Sequence, residues 1–163
     1  MKLLYTIFIN FYVFLIFLAS PFNKKARQWI EGRRNIFTKL KKTINTDDKL
    51  IWVHCSSLGE FEQGRPVIEK LKENHPSYKI LLTFFSPSGY EIRKDYKGAD
   101  FVFYLPADLS RNVKRFYDIC KPSLLILVKY EFWPNYLYYA QKVNVPVISI
   151  SSIFRKKQFF FKP

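Results

Sequence analysis

The 163 residues carry 27 Lys and Arg against 13 Asp and Glu, a formal net charge of +14, with 48% hydrophobic and 19% aromatic residues. That apolar share excludes a disordered chain and supplies one packed domain plus a terminal segment. The charge points to an anionic partner, whether phospholipid head groups, a phosphorylated lipid or nucleic acid; two cysteines, Cys55 and Cys120, are too few for a disulfide framework and suit a reducing compartment. Residues 3–19 are apolar except for Thr6 and Asn10. As a helix, a run of about 17 residues rises roughly 25 Å, short of the ~30 Å hydrocarbon core, so it either crosses a thin bilayer or lies partly embedded. Phe8, Phe11, Phe14 and Phe17 fall on one face, which suits lipid or acyl chains. A signal peptide is the competing reading, because Leu18-Ala19-Ser20 resembles a cleavage site. Pro21 and the basic residues that follow (Lys24, Lys25, Arg27, Arg33, Arg34, Lys39, Lys41 and Lys42) favour an anchor that keeps the domain cytoplasmic. The expected organisation is an anchor over 1–22, a basic, helix-prone connector over 23–49 and a domain over 50–163.

Within the domain, short apolar runs alternate with helix-like stretches. Residues 50–53, 79–84, 101–104, 124–128 and 147–150 read as buried strands; residues 64–74, 88–96, 110–120 and 134–143 read as helices. Pro66 and Pro134 are placed near helix starts, where a missing N–H costs little. This alternation predicts an α/β fold, a Rossmann-like parallel sheet with helices on both faces. No Gly-x-Gly-x-x-Gly loop is present, which argues against a dinucleotide cofactor.

The stretch Trp52-Val53-His54-Cys55-Ser56-Ser57-Leu58-Gly59-Glu60 reads as strand, loop and helix entry. Ligands of such folds gather at the carboxyl ends of the strands, so Glu60 is a candidate base; equally, it is a carboxylate favouring the positive end of a helix. Ser56, Ser57 and Gly59 form a small-residue loop whose N–H groups can hold a phosphate or carboxylate, or simply cap a helix, and Ser86, Ser88 and Gly89 repeat the pattern. Glu131 follows a strand and precedes Trp133, which is either a packing residue or a sugar platform. Phe61 is either core or the start of an apolar path for acyl chains. Adjacent His54 and Cys55 point to opposite faces and make no nucleophile–base pair. With His54 and His75 far apart and no Cys-x-x-Cys, no metal site is expected.

These motifs resemble, in order, the front half of the Kdo transferases, which add 3-deoxy-D-manno-oct-2-ulosonic acid to the lipid A precursor. The matching residues are His54, Ser57, Gly59 and Glu60; Thr83 to Gly89; Tyr104-Leu105-Pro106-Ala107-Asp108; Lys121-Pro122; and Glu131-Phe132-Trp133-Pro134-Asn135. The resemblance implies the N-terminal acceptor domain of a GT-B glycosyltransferase, with the C-terminal donor domain outside these residues. It implies Glu60 as general base and Ser56, Ser57, Gly59, Ser86, Ser88, Gly89 and Glu131 as substrate-binding residues. The implied substrates are CMP-Kdo and the lipid A precursor (lipid IVA). Neither cofactor, metal nor nucleic acid is implied. The implied location is the cytoplasmic face of the inner membrane, against its anionic lipids. Lys129 stands where many relatives have an acid, and the Ser151–Arg155 stretch departs from the family's Ala-Arg-Leu-Ser. Another GT-B enzyme with a different sugar donor and a non-enzymatic basic module are the competing functions.

Overall fold

The computed structural model describes residues 2–153. Its centre is a five-stranded, wholly parallel sheet: β1 (Leu50–Cys55), β2 (Lys79–Phe84), β3 (Phe101–Tyr104), β4 (Leu124–Val128) and β5 (Val147–Ile150), in the order β3-β2-β1-β4-β5. The helices are α1 (Lys2–Ala19), α2 (Lys24–Arg33), α3 (Ile36–Thr43), α4 (Leu58–Asn74), α5 (Pro87–Arg93), α6 (Ser110–Cys120) and α7 (Pro134–Lys142). The chain builds outward from β1 to β3, then returns to place β4 on the other side of β1. The strand order therefore reverses between β1 and β4, and the crevice at such a switch point is where open α/β sheets take their ligands.

The sheet forms because its central strands are apolar on both faces, as buried parallel strands are. All six residues of β1 are buried. Alternation sends Trp52 to a core shared with α3, α6 and α7, and Val53 and Cys55 to one shared with α4. Four strands occupy the expected residues; β1 continues two residues farther, to Cys55. Helix α4 is the main departure. It begins at Leu58 rather than 64, so Pro66 lies inside the helix and not at its start. Ser57 and Glu60 supply the start signal as a capping box, which outweighs the proline as a boundary. Helix α5 likewise opens at Pro87 and ends at Arg93, short of 96.

The basic stretch folds as two helices joined to the domain. Asn23 caps α2, its Oδ1 accepting from the N–H groups of Lys25 (2.9 Å) and Ala26 (3.1 Å). In and just beyond α3, Ile36, Leu40 and Ile44 recur every four residues and are buried in the core with Leu50 and Tyr104, while Lys39, Lys41 and Lys42 face solvent. Helix α2 is fastened by Arg33. Its Nε donates to Leu105 O (2.8 Å), Nη2 to Phe85 O (2.8 Å) and Nη1 to Trp29 O (3.1 Å), and its guanidinium lies 3.7 Å from the Trp29 ring centre and 4.7 Å from that of Tyr104. Burial pulls this guanidinium down to about 9, partly opposed by Tyr104, Tyr136 and Tyr12, so it stays charged at neutral pH.

Helix α1 rests on this platform by one stripe. Tyr12 stacks on Phe85 at 6.2 Å, Ile9 is buried, and Tyr5 donates from its hydroxyl to Asp108 Oδ2 at 2.7 Å. The other side exposes Leu4, Ile7, Phe8, Phe11, Phe14 and Leu18, each more than half accessible. No single helix among the described residues is long and apolar enough to cross a membrane; α1 and α2 meet that test only as a pair, bent by 119°.

Gly32 lets α2 approach the sheet: a Cβ there would lie 2.1 Å from Tyr104 Cε2. The Tyr104 ring cannot swing aside, because Tyr90 lies 4.0 Å from it and Arg33 covers it. Gly32→Ala is therefore expected to destabilise the fold by about 1–3 kcal/mol, as overpacking does, read as a lower midpoint in thermal unfolding.

Candidate active site

Strand ends on both sides of the switch point deliver the candidate residues. After β1 the chain turns through Ser56 and Ser57 into α4, placing Glu60 in its first turn. Glu60 Oε2 accepts from the backbone N–H groups of Ser56 and, at 3.2 Å, Ser57. Both bonds use one oxygen; Oε1 has no hydrogen-bond partner among the described residues and is available to a ligand. After β2, Ser86 caps α5 by accepting from Ser88 N–H (3.2 Å), and its own N–H donates to Ser56 O at 2.8 Å. The two serine loops are thus one hydrogen-bonded unit.

Glu131 arrives from the far side of the switch, three residues beyond β4. Trp133 Nε1–H donates to Glu131 Oε2 (3.1 Å) and approaches His54 Nε2 (3.3 Å), while His54 Nε2 lies 3.6 Å from Glu131 Oε2. His54 is fully buried, and its Nδ1 sits 3.1 Å from Thr83 O and 2.9 Å from Thr83 Oγ1. A carbonyl oxygen only accepts, so Nδ1 carries a proton, and Nε2 is the nitrogen that faces Trp133 and Glu131. Trp52 Nε1–H donates to Thr83 Oγ1 at 2.7 Å and holds that partner in place. Trp133 also packs on Phe85, ring centres 4.6 Å apart, which joins the loop after β4 to the loop after β2.

Asp108 fixes the same loop from behind. Its carboxylate accepts from the N–H groups of Asn135 (3.1 Å) and Tyr136 (3.2 Å) at the start of α7, while its backbone carbonyl accepts from Asn135 Nδ2 (2.7 Å). A buried carboxylate at a helix N-terminus satisfies donors the helix leaves open and meets its positive pole. The Tyr5 hydroxyl completes this carboxylate, so α1 is hydrogen-bonded to the residue that positions the Glu131 loop.

Burial raises the Glu60 carboxyl above its ordinary 4.5, the negative charge of Glu131 raises it further, and the Ser56 and Ser57 N–H bonds and His54 pull it back. The net direction is upward, towards a stronger base. Burial pushes the Cys55 thiol well up, aided by Glu60 and Glu131, so it stays protonated and is not a nucleophile.

The structure therefore brings Ser56, Ser57, Glu60, Ser86 and Ser88 together in one rim, with Glu131 across the switch point. Gly89 is placed differently: it is buried, and a Cβ there would meet Phe84 at 2.3 Å, a packing role behind the rim. Phe61 is fully buried in the core. Gly59 is exposed, with open space where a Cβ would stand. Sequence reasoning passed over His54, Thr83 and Asp108 as supports; their signal was a buried polar residue at or just beyond the end of an apolar strand. Lys129 takes a left-handed backbone (φ 63°) at the end of β4. Arg155, Lys156 and Lys157 lie outside the described residues.

An open, wholly parallel sheet flanked by helices is consistent with the N-terminal domain of a GT-B glycosyltransferase. The chain belongs to the 3-deoxy-D-manno-octulosonic-acid transferase (Kdo transferase) family, whose model matches residues 30–161. It is similar to the 3-deoxy-D-manno-octulosonic acid transferase of Aquifex aeolicus, 36% identical over 69% of this chain and 30% of that protein. The enzyme of the same name from Haemophilus influenzae is 31% identical over 60% of this chain and 23% of its own length. A bifunctional glycosyltransferase/methyltransferase of Fusobacterium nucleatum is 30% identical over 82% of this chain and 21% of its length. The matched part thus spans between about a fifth and a third of these relatives.

Two substitutions separate fold from chemistry. A raised folded-state pKa stabilises only at low pH and is lost as pH rises through that value, so ionised Glu60 costs stability at neutral pH. Glu60→Gln keeps an acceptor for the cap and is expected to unfold at an equal or higher temperature at pH 7, the gain vanishing below about pH 4 where Glu60 is neutral. Gly59→Ala is expected to leave thermal stability unchanged or slightly higher, since its methyl enters open space in a helix. A fall in melting temperature at pH 7 for either variant would contradict this site geometry.

Proposed function

We propose that this chain is the acceptor-binding half of a glycosyltransferase that moves Kdo from CMP-Kdo to the lipid A precursor, lipid IVA, in lipopolysaccharide biosynthesis. The observation that carries the reading is Glu60: a carboxylate at the strand-end crevice, held through one oxygen by two backbone N–H groups and raised in basicity by burial and by Glu131. In the reaction, a hydroxyl of the acceptor sugar gives its proton to Glu60 as its oxygen bonds to the anomeric carbon of Kdo. The bond from that carbon to the CMP phosphate breaks with the electron pair going to CMP, and the configuration inverts. The proton then leaves Glu60 for water. No cofactor and no metal takes part in this scheme.

Ser56, Ser57, Ser86, Ser88 and exposed Gly59 line the approach of the acceptor, and Gly89 holds the second loop against Phe84. Glu131, restrained by Trp133 beside His54, orients the acceptor sugar and keeps Glu60 basic. The donor nucleotide is held by a second domain across the cleft, and catalysis requires both halves to meet. Helix α1 lays its apolar face into the cytoplasmic leaflet of the inner membrane. The lysines and arginines that follow it draw the domain to anionic lipid, which brings the crevice to a lipid acceptor.

The test is Kdo transfer from CMP-Kdo to lipid IVA by this chain joined to its donor half, with the chain alone as control. The joined protein is expected to be active and the chain alone inactive. Glu60→Gln is expected to lower kcat by about 10²- to 10⁴-fold with little change in KM, the range for loss of a general base. Activity of the unaltered enzyme should rise with pH through the raised Glu60 value as the base loses its proton. Full activity in the Glu60→Gln enzyme would remove Glu60 from the mechanism; transfer of a different sugar in place of Kdo would remove the donor assignment.

A further inference from the structure

A second concave site lies away from the Glu60 crevice, where the α2–α3 junction meets α6. This open cleft of about 770 Å³ is lined by Arg33, Arg34, Arg115 and Trp29, with Val13 of α1 and Glu31 also in its wall. Its volume is in the range of small-ligand sites. None of the three arginines forms an ion pair with a carboxylate among the described residues. Three guanidinium groups against one carboxylate, Glu31, leave the wall with a surplus of two positive charges.

The donors in this wall are unusually unspent. Arg33 uses three of its five N–H groups on the carbonyls of Trp29, Phe85 and Leu105, which leaves two. The Trp29 indole N–H is buried and has no acceptor among the described residues, although a buried donor normally finds one. Arg115 lies over Phe37, its guanidinium carbon 4.5 Å from the ring centre, a contact with a ring face that uses none of its N–H donors. Planar guanidinium forks hold carboxylate and phosphate oxygens in paired, charge-assisted hydrogen bonds, and the surplus of two positive charges suits the roughly doubly negative phosphate monoester. The cleft also opens beside α1, whose neighbouring residues Phe11 and Phe14 are exposed. A group bound there would sit at the level of lipid phosphates if α1 lies in a membrane.

We propose that this cleft is a phosphate-binding site, separate from the Glu60 crevice, in which Arg34 and Arg115 grip the phosphate above a floor of Arg33 and Trp29. Its membrane source, a phosphate-bearing lipid head group, rests on the reading that α1 lies at the bilayer surface; free phosphate is the other source of the same chemistry. Occupancy by lipid would fix the height and tilt of the domain on the membrane.

The experiment uses the full chain in two arms. In the first, flotation with phosphatidylcholine vesicles is compared with vesicles containing phosphatidic acid, for the unaltered protein, for Arg34→Gln/Arg115→Gln and for Lys41→Gln/Lys42→Gln. The last pair removes the same charge from the exposed face of α3, outside the cleft. Delocalised attraction costs both doubles the same, about fivefold per charge. The cleft adds about a further tenfold loss to the arginine double alone, as befits charge-assisted forks. In the second arm, inorganic phosphate is added at constant ionic strength and thermal unfolding is followed, with circular dichroism confirming that each variant is folded. A stabilisation present in the unaltered protein and absent in the arginine double shows that phosphate alone suffices; a cleft-dependent flotation without it makes the source lipid-bound. Either result supports the site. Equal losses in the two doubles, or no flotation at all, together with no cleft-dependent stabilisation, would overturn it. Failure to float on any vesicle with the stabilisation intact would remove the membrane reading and leave the cleft standing.

Discussion

The structure depends on one buried cation. Arg33 has no carboxylate partner among the described residues; it is held by three carbonyls and an aromatic cage of Trp29, Phe85 and Tyr104. Taking a charge out of water is costly, and only saturation of its donors by fixed dipoles makes such a burial tolerable. Two of those carbonyls, Phe85 and Leu105, lie just past the ends of β2 and β3, so the bonds fasten α2 across the rim of the sheet. The N-terminal helix α1 is stacked on this joint. Tyr12 of α1 packs on both Trp29 and Phe85. Phe85 carries Trp133 on towards His54 and Glu131. A contact path therefore runs from the apolar helix to the crevice through rings whose positions one guanidinium sets, and the Tyr5–Asp108 bond gives a second route to the same loop.

Electrostatics at the crevice are arranged in opposition. Backbone amides and the α4 N-terminus favour an ionised Glu60, whereas burial and Glu131 disfavour it, and the latter pair wins. A carboxylate that served only as a cap would gain from having the amides unopposed. Setting a second acid against it raises its basicity at a cost in stability. The two acids come from opposite sides of the switch point, after β1 and after β4, which is the one place in this topology where strand ends separated by about seventy residues share a crevice.

The sheet was legible in the sequence because parallel strands buried on both faces leave short, unbroken apolar runs bounded by polar or proline-containing turns. Helix α4 was harder. Pro66 carried the stronger one-residue signal for a start, but the reciprocal bonds of Ser57 and Glu60 began the helix earlier, and the proline is accommodated within it. The stripe Ile36, Leu40 and Ile44 has helical spacing, yet intervening lysines made the stretch read as a basic connector, although it closes the core under β3. Gly89 looked like a loop glycine when its task is to admit Phe84. Arg33 was counted only as one of many positive charges; its role depends on carbonyls 52 and 72 residues away, which no local pattern encodes. For the crevice, residue types and order pointed to Glu60 and the serine loops, which the structure brings to one rim, while His54, Thr83 and Asp108 gained meaning only from three-dimensional neighbours.

The central claim is that the carboxylates of Glu60 and Glu131 act as one electrostatic unit. The direct measurement is a carbon-13 titration of the Glu60 side-chain carboxyl in the unaltered chain and in Glu131→Gln. The account predicts a Glu60 value above 4.5 that falls when Glu131 is neutralised. A value at or below the ordinary one, indifferent to Glu131, would show that the amides alone govern Glu60 and that it is a helix cap rather than a tuned base.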